Sequence, residues 1–457
     1  MLKLGSLPVQ TCSGISRREV LRVGALGGLG LSLPRTLAAA EAGARPEDLS
    51  VLMLFLRGGV AHLDTWDMKP DGPTPETRGE FKPINTNVDG IQMCELMPGL
   101  AKQADKLTIL RGASHNQDEH DNAMQTVLTG QPPQGNMIYP NMGTVLARYR
   151  PGTPPLPSAI HVQAPGLGNP MAPPAPPEQR GIGAGFMGAG FNPFMVQDVD
   201  KLDRLDWIRG EAAVIPERLD RRHQLMRSLD RFQRSVEHSG IVAHDTAYER
   251  AFAVVTSAEA KRAFRVEEEP VALREKYGMH EWGQSCLLGR RLLEAGVRYV
   301  QVNWSARGWD AITKKDDLFT RSSFDSHFGH FPWLRRQLPR LDQGMSTLFA
   351  DMHDRGLLKR TLVIVLTEFG RAAGVNADGG REHWPPAFTI LMAGAGLPGG
   401  RVLGATSANG QEVVSGKFGP QELVNSVYEM CGLDVPVTLR QAGIVKDSSE
   451  GIPGLRG

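Results

Sequence analysis

Short apolar runs alternate with helical patterns along most of this 457-residue sequence, and this alternation rules out most fold classes. Runs rich in β-branched residues and leucine predict buried strands at 51–56, 107–110, 298–303, 361–366 and 388–392. Apolar residues at three- and four-residue spacing predict helices at 97–106, 120–130, 282–296 and 332–356. Strands that alternate with helices predict an α/β domain with a mostly parallel sheet. In such sheets, functional sites gather at the carboxyl ends of the strands.

The composition is that of an ordinary globular protein. A net charge of +1, with 22% charged and 41% hydrophobic residues, gives no reason to expect a nucleic-acid partner. The length allows one large domain or two to three average ones. We predict a single domain over 41–457, with a Pro- and Gly-rich insertion at about 150–196 lying over one edge of the sheet.

The N-terminus has the order of regions typical of a signal peptide. Arg17 and Arg18 precede a Gly-rich apolar segment, and a small-residue pattern ends at Ala40. The paired arginines predict a twin-arginine signal over 1–40, although an amphipathic N-terminal helix is the alternative. The apolar run is too short to span a bilayer of about 30 Å. We therefore expect export to the periplasm or the medium, and no membrane span in the mature protein.

Carboxylate and imidazole side chains stand at or near the predicted strand ends. Glu368 follows the apolar run in "VIVLTEFGR", and His383 comes fifteen residues later in "GGREHW". Asp325 and His327 lie in the loop that follows another strand. Carboxylate oxygens and imidazole nitrogens are ligands for hard or borderline divalent metals. Without a cation, two carboxylates about 4 Å apart would repel by about 4 kcal/mol at an effective dielectric of 20. These four residues therefore predict a divalent metal site, for Zn, Ca, Mg or Mn.

Each of these residues also has an ordinary structural interpretation. Glu368 could cap a helix or form an ion pair with Arg371 or Arg381. An Asp-x-His sequence is also common on protein surfaces. The shared placement at strand ends is what favours the metal site over these alternatives.

Five motifs resemble the bacterial family called domain of unknown function 1501. They are "HLDTWD", "GQSCLLGRRLLEAGVRYV", "FDSHFGHF", "LPRLDQGMSTLFADMHDRGLLKRTLVIVLTEFGR" and "GGREHWPPAFTILMAGAGLPGG", in order between about residues 48 and 435. Members of that family commonly carry a twin-arginine signal. The family is grouped with the alkaline phosphatase and sulfatase superfamily. The resemblance therefore implies a three-layer α/β/α sandwich.

The superfamily resemblance also implies one metal position. Asp325 with His327, or with His330, resembles the first ligand motif of the phosphatases and mutases in the superfamily. Glu368 resembles the second, with Glu in place of Asp, and His383 resembles the third. One metal position is thus implied in an altered form.

The second metal position departs from the superfamily pattern. Gly58-Gly59 stands where members have an acidic residue, and Phe369 stands where they have a ligand histidine. Asp64 or Asp67 could reach this position from the next loop, and we take Asp64 as a candidate ligand.

The nucleophile position is occupied by histidine. Sulfatases place Cys or Ser eleven residues from the end of a helix that finishes in Leu-Thr-Gly, and the same count from Gly130 arrives at His120. Imidazole at a helix N-terminus could ligate a metal, hold an anion or attack phosphorus. A hydrogen bond to the first helical turn is the structural alternative.

The resemblance implies an exported metal-dependent hydrolase of phosphate or sulfate esters. Its substrate would be a small anionic ester or a sulfated or phosphorylated polymer, held by Arg371 and Arg381. A metal would polarise the ester oxygen and activate water, which requires no side-chain nucleophile. The alternative is a non-catalytic binding or scaffold protein that keeps the sulfatase-like fold.

The export prediction is tested at the paired arginines. Changing Arg17 and Arg18 together to Lys should leave an uncleaved precursor in the cytoplasm, because the twin-arginine route reads that pair. Cell fractionation and immunoblotting measure the precursor and the mature form. Normal amounts of mature protein outside the membrane would contradict the assignment.

Overall fold

The computed structural model describes residues 46–162, 181–196, 257–304, 323–433 and 451–456, together with 199, 439, 440, 443 and 444. The predicted signal peptide at 1–40 lies outside these residues, so it stays a prediction. Within the described part of the chain, no helix is both long enough and apolar enough to cross a membrane.

The described residues form fourteen strands and nine α-helices. The strands are β1 (Ser50–Phe55), β2 (Pro83–Asn85), β3 (Gln92–Cys94), β4 (Leu107–Ala113), β5 (Ala159–Val162), β6 (Phe194–Val196), β7 (Tyr299–Asn303), β8 (Thr361–Leu366), β9 (Gly370–Arg371), β10 (His383–Trp384), β11 (Phe388–Gly394), β12 (Arg401–Leu403), β13 (Ala405–Thr406) and β14 (Val413–Ser415). The helices are α1 (Pro75–Arg78), α2 (Pro98–Ala101), α3 (His120–Thr129), α4 (Met142–Tyr149), α5 (Ala258–Phe264), α6 (Val271–Tyr277), α7 (Glu281–Glu294), α8 (His330–Asp354) and α9 (Pro420–Met430).

Eight of these described strands form one central sheet. Their order is β12-β4-β11-β8-β1-β7-β5-β6. Strand β11 runs antiparallel to both of its neighbours, β4 and β8, and the remaining pairs are parallel. The prediction of a mostly parallel sheet is confirmed.

Helices cover both faces of the sheet. On β1, Leu52 and Leu54 belong to a buried cluster that includes side chains of α7 and α8. Val51 and Met53 point to the opposite face, into a second cluster with side chains of α3, α4 and α9. Successive side chains of a strand face opposite sides, so a strand that is apolar throughout needs a helical layer on each side. The three-layer α/β/α sandwich is confirmed.

The stretch at 150–196 differs from the insertion that was predicted. Its residues Ala159–Val162 and Phe194–Val196 form β5 and β6, two parallel strands at one edge of the central sheet. Residues 163–180 lie outside the described part. The described ends of this stretch therefore extend the sheet instead of lying over it, and the many prolines and glycines around them obscured two short strand signals.

Candidate metal centre

The two central strands end side by side. Strands β1 and β8 pair in parallel, and the Thr367 hydroxyl joins their ends by donating to Leu56 O at 2.8 Å and accepting from Val60 N–H at 3.1 Å. Glu368 comes next, with a side chain that has no exposed surface. A core strand thus delivers a fully buried carboxylate to the carboxyl edge of the sheet.

A glycine turn after β1 brings a second chain segment to this carboxylate. Gly58 has a φ of 111°, and its N–H donates to Glu368 Oε1 at 2.7 Å. The Phe324 N–H donates to Arg57 O at 2.8 Å, which lays residues 324 and 325 against the turn. A Cβ at Gly58 would lie 2.3 Å from the backbone nitrogen of Asp325. Only glycine tolerates both this φ and this close contact.

His120 lies between the two carboxylates. It is the first residue of α3, and its Nδ1 is 2.7 Å from Glu368 Oε1. Its Nε2 lies 3.2 Å from Asp325 Oδ2, but this buried nitrogen makes no hydrogen bond of good geometry. The imidazole is therefore fixed through Nδ1, while Nε2 faces Asp325 without a hydrogen bond.

His327 and His383 approach Asp325 from the other side. His327 Nδ1 is 2.7 Å from Glu382 Oε2, and His383 Nδ1 is 2.6 Å from Asp118 O. Both oxygens accept, so each Nδ1 carries its hydrogen. Nε2 then presents a lone pair when the ring is neutral and an N–H to Asp325 when the ring is protonated. The two Nε2 atoms are 3.0 Å apart, and they lie 3.1 and 3.3 Å from Asp325 Oδ1.

Three imidazoles thus share one arrangement around Asp325. Each is held through Nδ1 by an oxygen atom and directs Nε2 inward, which is how protein histidines are oriented toward a metal. The ligand atoms of His120, Asp325 and His383 all lie within 4.8 Å of one another. Together with the unpartnered Nε2 of His120, this set of nitrogen and carboxylate donors fits a divalent cation.

The charges around the cluster shift several pKa values. Burial opposes protonation of His120, but Asp325 and Glu368 outweigh it and raise the pKa of His120 to about 9. Burial would raise the pKa of Asp325, whereas its imidazole neighbours and Arg371 hold that pKa far below the usual range. Burial likewise opposes ionisation of Glu368, yet its bond to His120 keeps the pKa below normal. With no cation bound, a proton on His120 lies between two carboxylates.

Glu368 occupies a different position from the one expected of a ligand. Its Oε1 contacts Gly58 N–H and His120 Nδ1, and its Oε2 lies 3.3 Å from the Thr367 hydroxyl oxygen. His115 Nε2 lies 2.6 Å from the Glu368 carbonyl oxygen. Glu368 therefore lies behind the His120 ring, where it orients that imidazole, while the converging ligand atoms come from other residues.

Asp64 lies in a separate buried cluster, so its expected role as a metal ligand does not fit. Its Oδ2 is 3.0 Å from His330 Nε2 and 2.9 Å from Arg381 Nε. His330 Nδ1 is 2.7 Å from Ser326 Oγ. Ser326, His330 and Asp64 are at most 2% exposed, so this trio cannot meet a solvent-borne substrate. Its contacts instead anchor the loop that carries Asp325, and His330 is turned away from the ligand group.

The expected role of Arg371 and Arg381 in holding an anion does not fit their placement either. Both side chains are fully buried. Arg381 donates from Nη1 to the carbonyl oxygens of Ala372 and Ala373, and from Nη2 to Glu76 O. Protein oxygens already satisfy these groups, so Arg381 stabilises its own loop.

Two partners of the cluster were missed from the sequence. Glu382 holds His327, and the carbonyl oxygen of Asp118 holds His383. Glu382 is next to His383 in "GGREHW", and an acidic residue beside a candidate ligand is a usable signal. A backbone carbonyl leaves no signal in the sequence.

Comparison with known proteins identifies a family and several distant structural neighbours. The family described as "Protein of unknown function (DUF1501)" matches residues 48–444. No curated protein matches the chain.

Three solved structures of bacterial proteins are among those similar to this chain. The PsFucS1 sulfatase from Pseudoalteromonas sp. is 11% identical, with 92% of this chain and 77% of that chain covered and a TM-score of 0.40. The alkaline phosphatase from the Antarctic bacterium TAB5 is 11% identical, with coverages of 84% and 98% and a TM-score of 0.36. The lipoteichoic acid synthase LtaP from Listeria monocytogenes is 8% identical, with coverages of 85% and 72% and a TM-score of 0.36.

The raised pKa of His120 predicts a pH-dependent stability when a chelator removes divalent metals. The pKa rises from 6.5 to about 9 on folding, so protonation stabilises the fold fully below 6.5. That stabilisation, on the order of 2–3 kcal/mol, should be lost as the pH rises through about 9. Urea unfolding at pH 6 and pH 9.5 should show the loss in the wild type.

Two variants control this measurement. His120→Gln should show a smaller loss between the two pH values, because the titrating group is gone. His353→Gln should behave like the wild type, because His353 has a 61% exposed side chain near the end of α8. The same pH dependence in the wild type and in His120→Gln would contradict the contacts assigned to His120.

Proposed function

This chain belongs to the DUF1501 family of proteins of unknown function, and we propose that it is an exported metal-dependent hydrolase of phosphate or sulfate esters. The sulfatase-like assignment of its fold is part of this proposal. The observation that carries the proposal is the convergence of three imidazole Nε2 atoms on Asp325, each imidazole being held through Nδ1.

The donor set favours particular cations. Imidazole nitrogens suit Zn²⁺, whereas carboxylate oxygens suit Mn²⁺, Mg²⁺ and Ca²⁺. His120, Asp325 and His383 would hold the ion through one atom each, and fewer than four protein ligands leave a position for substrate or water. A bound divalent cation supplies polarisation of the ester and a more nucleophilic water.

His327 has a different role in this proposal. Its side chain is 38% exposed, more than the 18% of His383 and the 22% of His120. The hydrogen bond with Asp325 raises the pKa of His327, against a smaller opposing effect of burial. A protonated Nε2 at the open rim of the cluster can donate its proton to the oxygen that leaves the ester. His327 is therefore the proposed general acid.

The substrate class follows from the charge that the site can accept. An ester anion would be attracted by the bound cation and by the imidazolium of His327. These positive charges would take the role expected of Arg371 and Arg381, whose buried side chains are bonded to protein oxygens. The exposed rim at His327 leaves room for either a small ester or one unit of a sulfated or phosphorylated polymer. Export through the twin-arginine route, which the N-terminal sequence predicts, is part of this proposal and agrees with it, since that route carries folded proteins.

One observation favours a non-catalytic alternative. Arg371 directs its N–H groups to protein oxygens, and Glu368 is bonded through Oε1 to Gly58 and His120. A protein that keeps the fold for binding or scaffolding, with one structural ion, could have the same contacts. Activity measurements separate the two functions.

The proposal predicts that Asp325→Asn weakens Zn²⁺ or Mn²⁺ binding by at least about 100-fold and lowers hydrolysis equally, because it removes the negative charge shared by all three imidazoles. Glu368→Gln should lower metal affinity and hydrolysis by about 10- to 100-fold, because it disturbs only the orientation of His120. Isothermal titration calorimetry measures binding, and aryl phosphates and aryl sulfates report hydrolysis. The matched control is Asp354→Asn, whose carboxylate is 79% exposed and contacts His353.

The outcomes separate enzyme from binding protein. If the wild type hydrolyses no aryl ester faster than a chelator-treated sample does, the proposed hydrolase activity is contradicted. The binding or scaffold alternative then remains. A phosphorylated imidazole that is trapped on His120 with substrate would contradict direct attack by water.

A further inference from the structure

The Arg371 side chain is buried against an unusual set of oxygens. Its Nε donates to Gly59 O at 3.1 Å, and its Nη1 donates to Arg381 O at 2.8 Å. Its Nη2 donates to Gly58 O and, at 2.6 Å, to Asp325 Oδ1. Three of these acceptors, the two glycine carbonyls and Asp325 Oδ1, surround one guanidinium edge beside the metal ligands. Carbonyl and carboxylate oxygens are also the donors that a hard cation would take.

The glycine turn is shaped to admit this guanidinium. Gly58 and Gly59 have φ values of 111° and 78°, and the carbonyl oxygens of both accept from the Arg371 side chain. A Cβ on Gly59 would lie 3.1 Å from Arg371 Nε and 2.6 Å from the Phe369 ring. A larger residue at Gly59 would therefore clash with the Phe369 ring and press against the arginine, so the two glycines and Arg371 fit together as one unit.

The two oxygens of Asp325 face different groups. Oδ2 faces the unpartnered Nε2 of His120 at 3.2 Å. Oδ1 accepts from Arg371 and faces His327 and His383. A carboxylate that bridges two metals places one ion near each oxygen, and here a fixed guanidinium already lies against Oδ1. The positive charge needed there is supplied by the chain itself.

We propose that Arg371 acts as a built-in cation that limits this site to a single divalent ion. The inference rests on the proposed function, since it presupposes the metal site at Asp325. Arg371 neutralises one side of Asp325, fills the position next to the two glycine carbonyls and repels a second cation from it. It also fixes the direction of Oδ2 toward His120 and is therefore a positioning residue.

The test is the number of ions bound by the mature full-length chain. Wild type saturated with Mn²⁺ should bind one ion, measured by elemental analysis of desalted protein and by native mass spectrometry. Its electron paramagnetic resonance spectrum should be that of an isolated ion. Arg371→Met removes the charge and frees three oxygens, so it should bind a second Mn²⁺ and show coupling between the ions.

Two further variants serve as controls. Arg371→Lys keeps a positive charge and should stay at one ion. Arg335→Met removes a half-exposed arginine that pairs with Glu80, and it should also stay at one ion. If Arg371→Met does not fold, Arg371→Gln, which removes the charge but keeps a polar side chain, takes its place, and a single ion bound by that folded variant overturns the proposal.

The outcomes distinguish this inference from the proposed function. Two ions in the wild type would overturn the role of Arg371 and leave the metal site standing. No bound ion in the wild type would overturn both. One ion in the wild type and one in a folded Arg371→Met variant would overturn this inference alone.

Discussion

The buried carboxylate of Glu368 is the constraint on which the candidate site depends. Its side chain has no exposed surface, and an isolated carboxylate in such a position would cost several kcal/mol or would take up a proton. It stays ionised because Gly58 N–H and His120 Nδ1 both bond to Oε1. The need to bond this carboxylate therefore fixes the positions of the glycine turn after β1 and of the start of α3.

Opposite charges then alternate outward from the sheet. The proton on His120 balances Glu368, Asp325 balances His120, and Arg371 balances Asp325. Each charge is buried or half-buried, so removing one leaves its neighbour without compensation. A divalent cation enters this series by taking the place of the proton between His120 and Asp325, because metal binding requires a deprotonated imidazole. The fold thus prepares the site electrostatically, and His383 completes the set of ligands.

The sequence predicted the fold well because periodicity reports burial directly. The run at 361–366 is β8 without change, and the run at 298–303 differs from β7 by one residue. The predicted helix at 97–106 became the short α2 followed by a 3-10 turn. The strands β5 and β6 within 150–196 were missed, because they are short and surrounded by proline and glycine.

The sequence predicted which loops meet but could not predict where individual side chains point. Strand-end placement brought Asp325, Glu368 and His383 to one edge, and the count from Gly130 brought His120 to the same place. Whether Asp64 turns toward the cluster or toward His330 depends on contacts with residues far away in sequence. The same holds for Arg371, because two of its acceptors are the carbonyl oxygens of Gly58 and Gly59, far away in sequence, and no local pattern records them.

The central claim is that His120, Asp325 and His383 hold one divalent cation. Anomalous diffraction from a Zn²⁺-loaded crystal tests it most directly, by locating the ion independently of any activity. The account predicts one peak at about 2.0–2.2 Å from His120 Nε2, His383 Nε2 and an Asp325 oxygen. A peak bound by Glu368 or Asp64 in place of these residues, or no peak at the cluster, would contradict it.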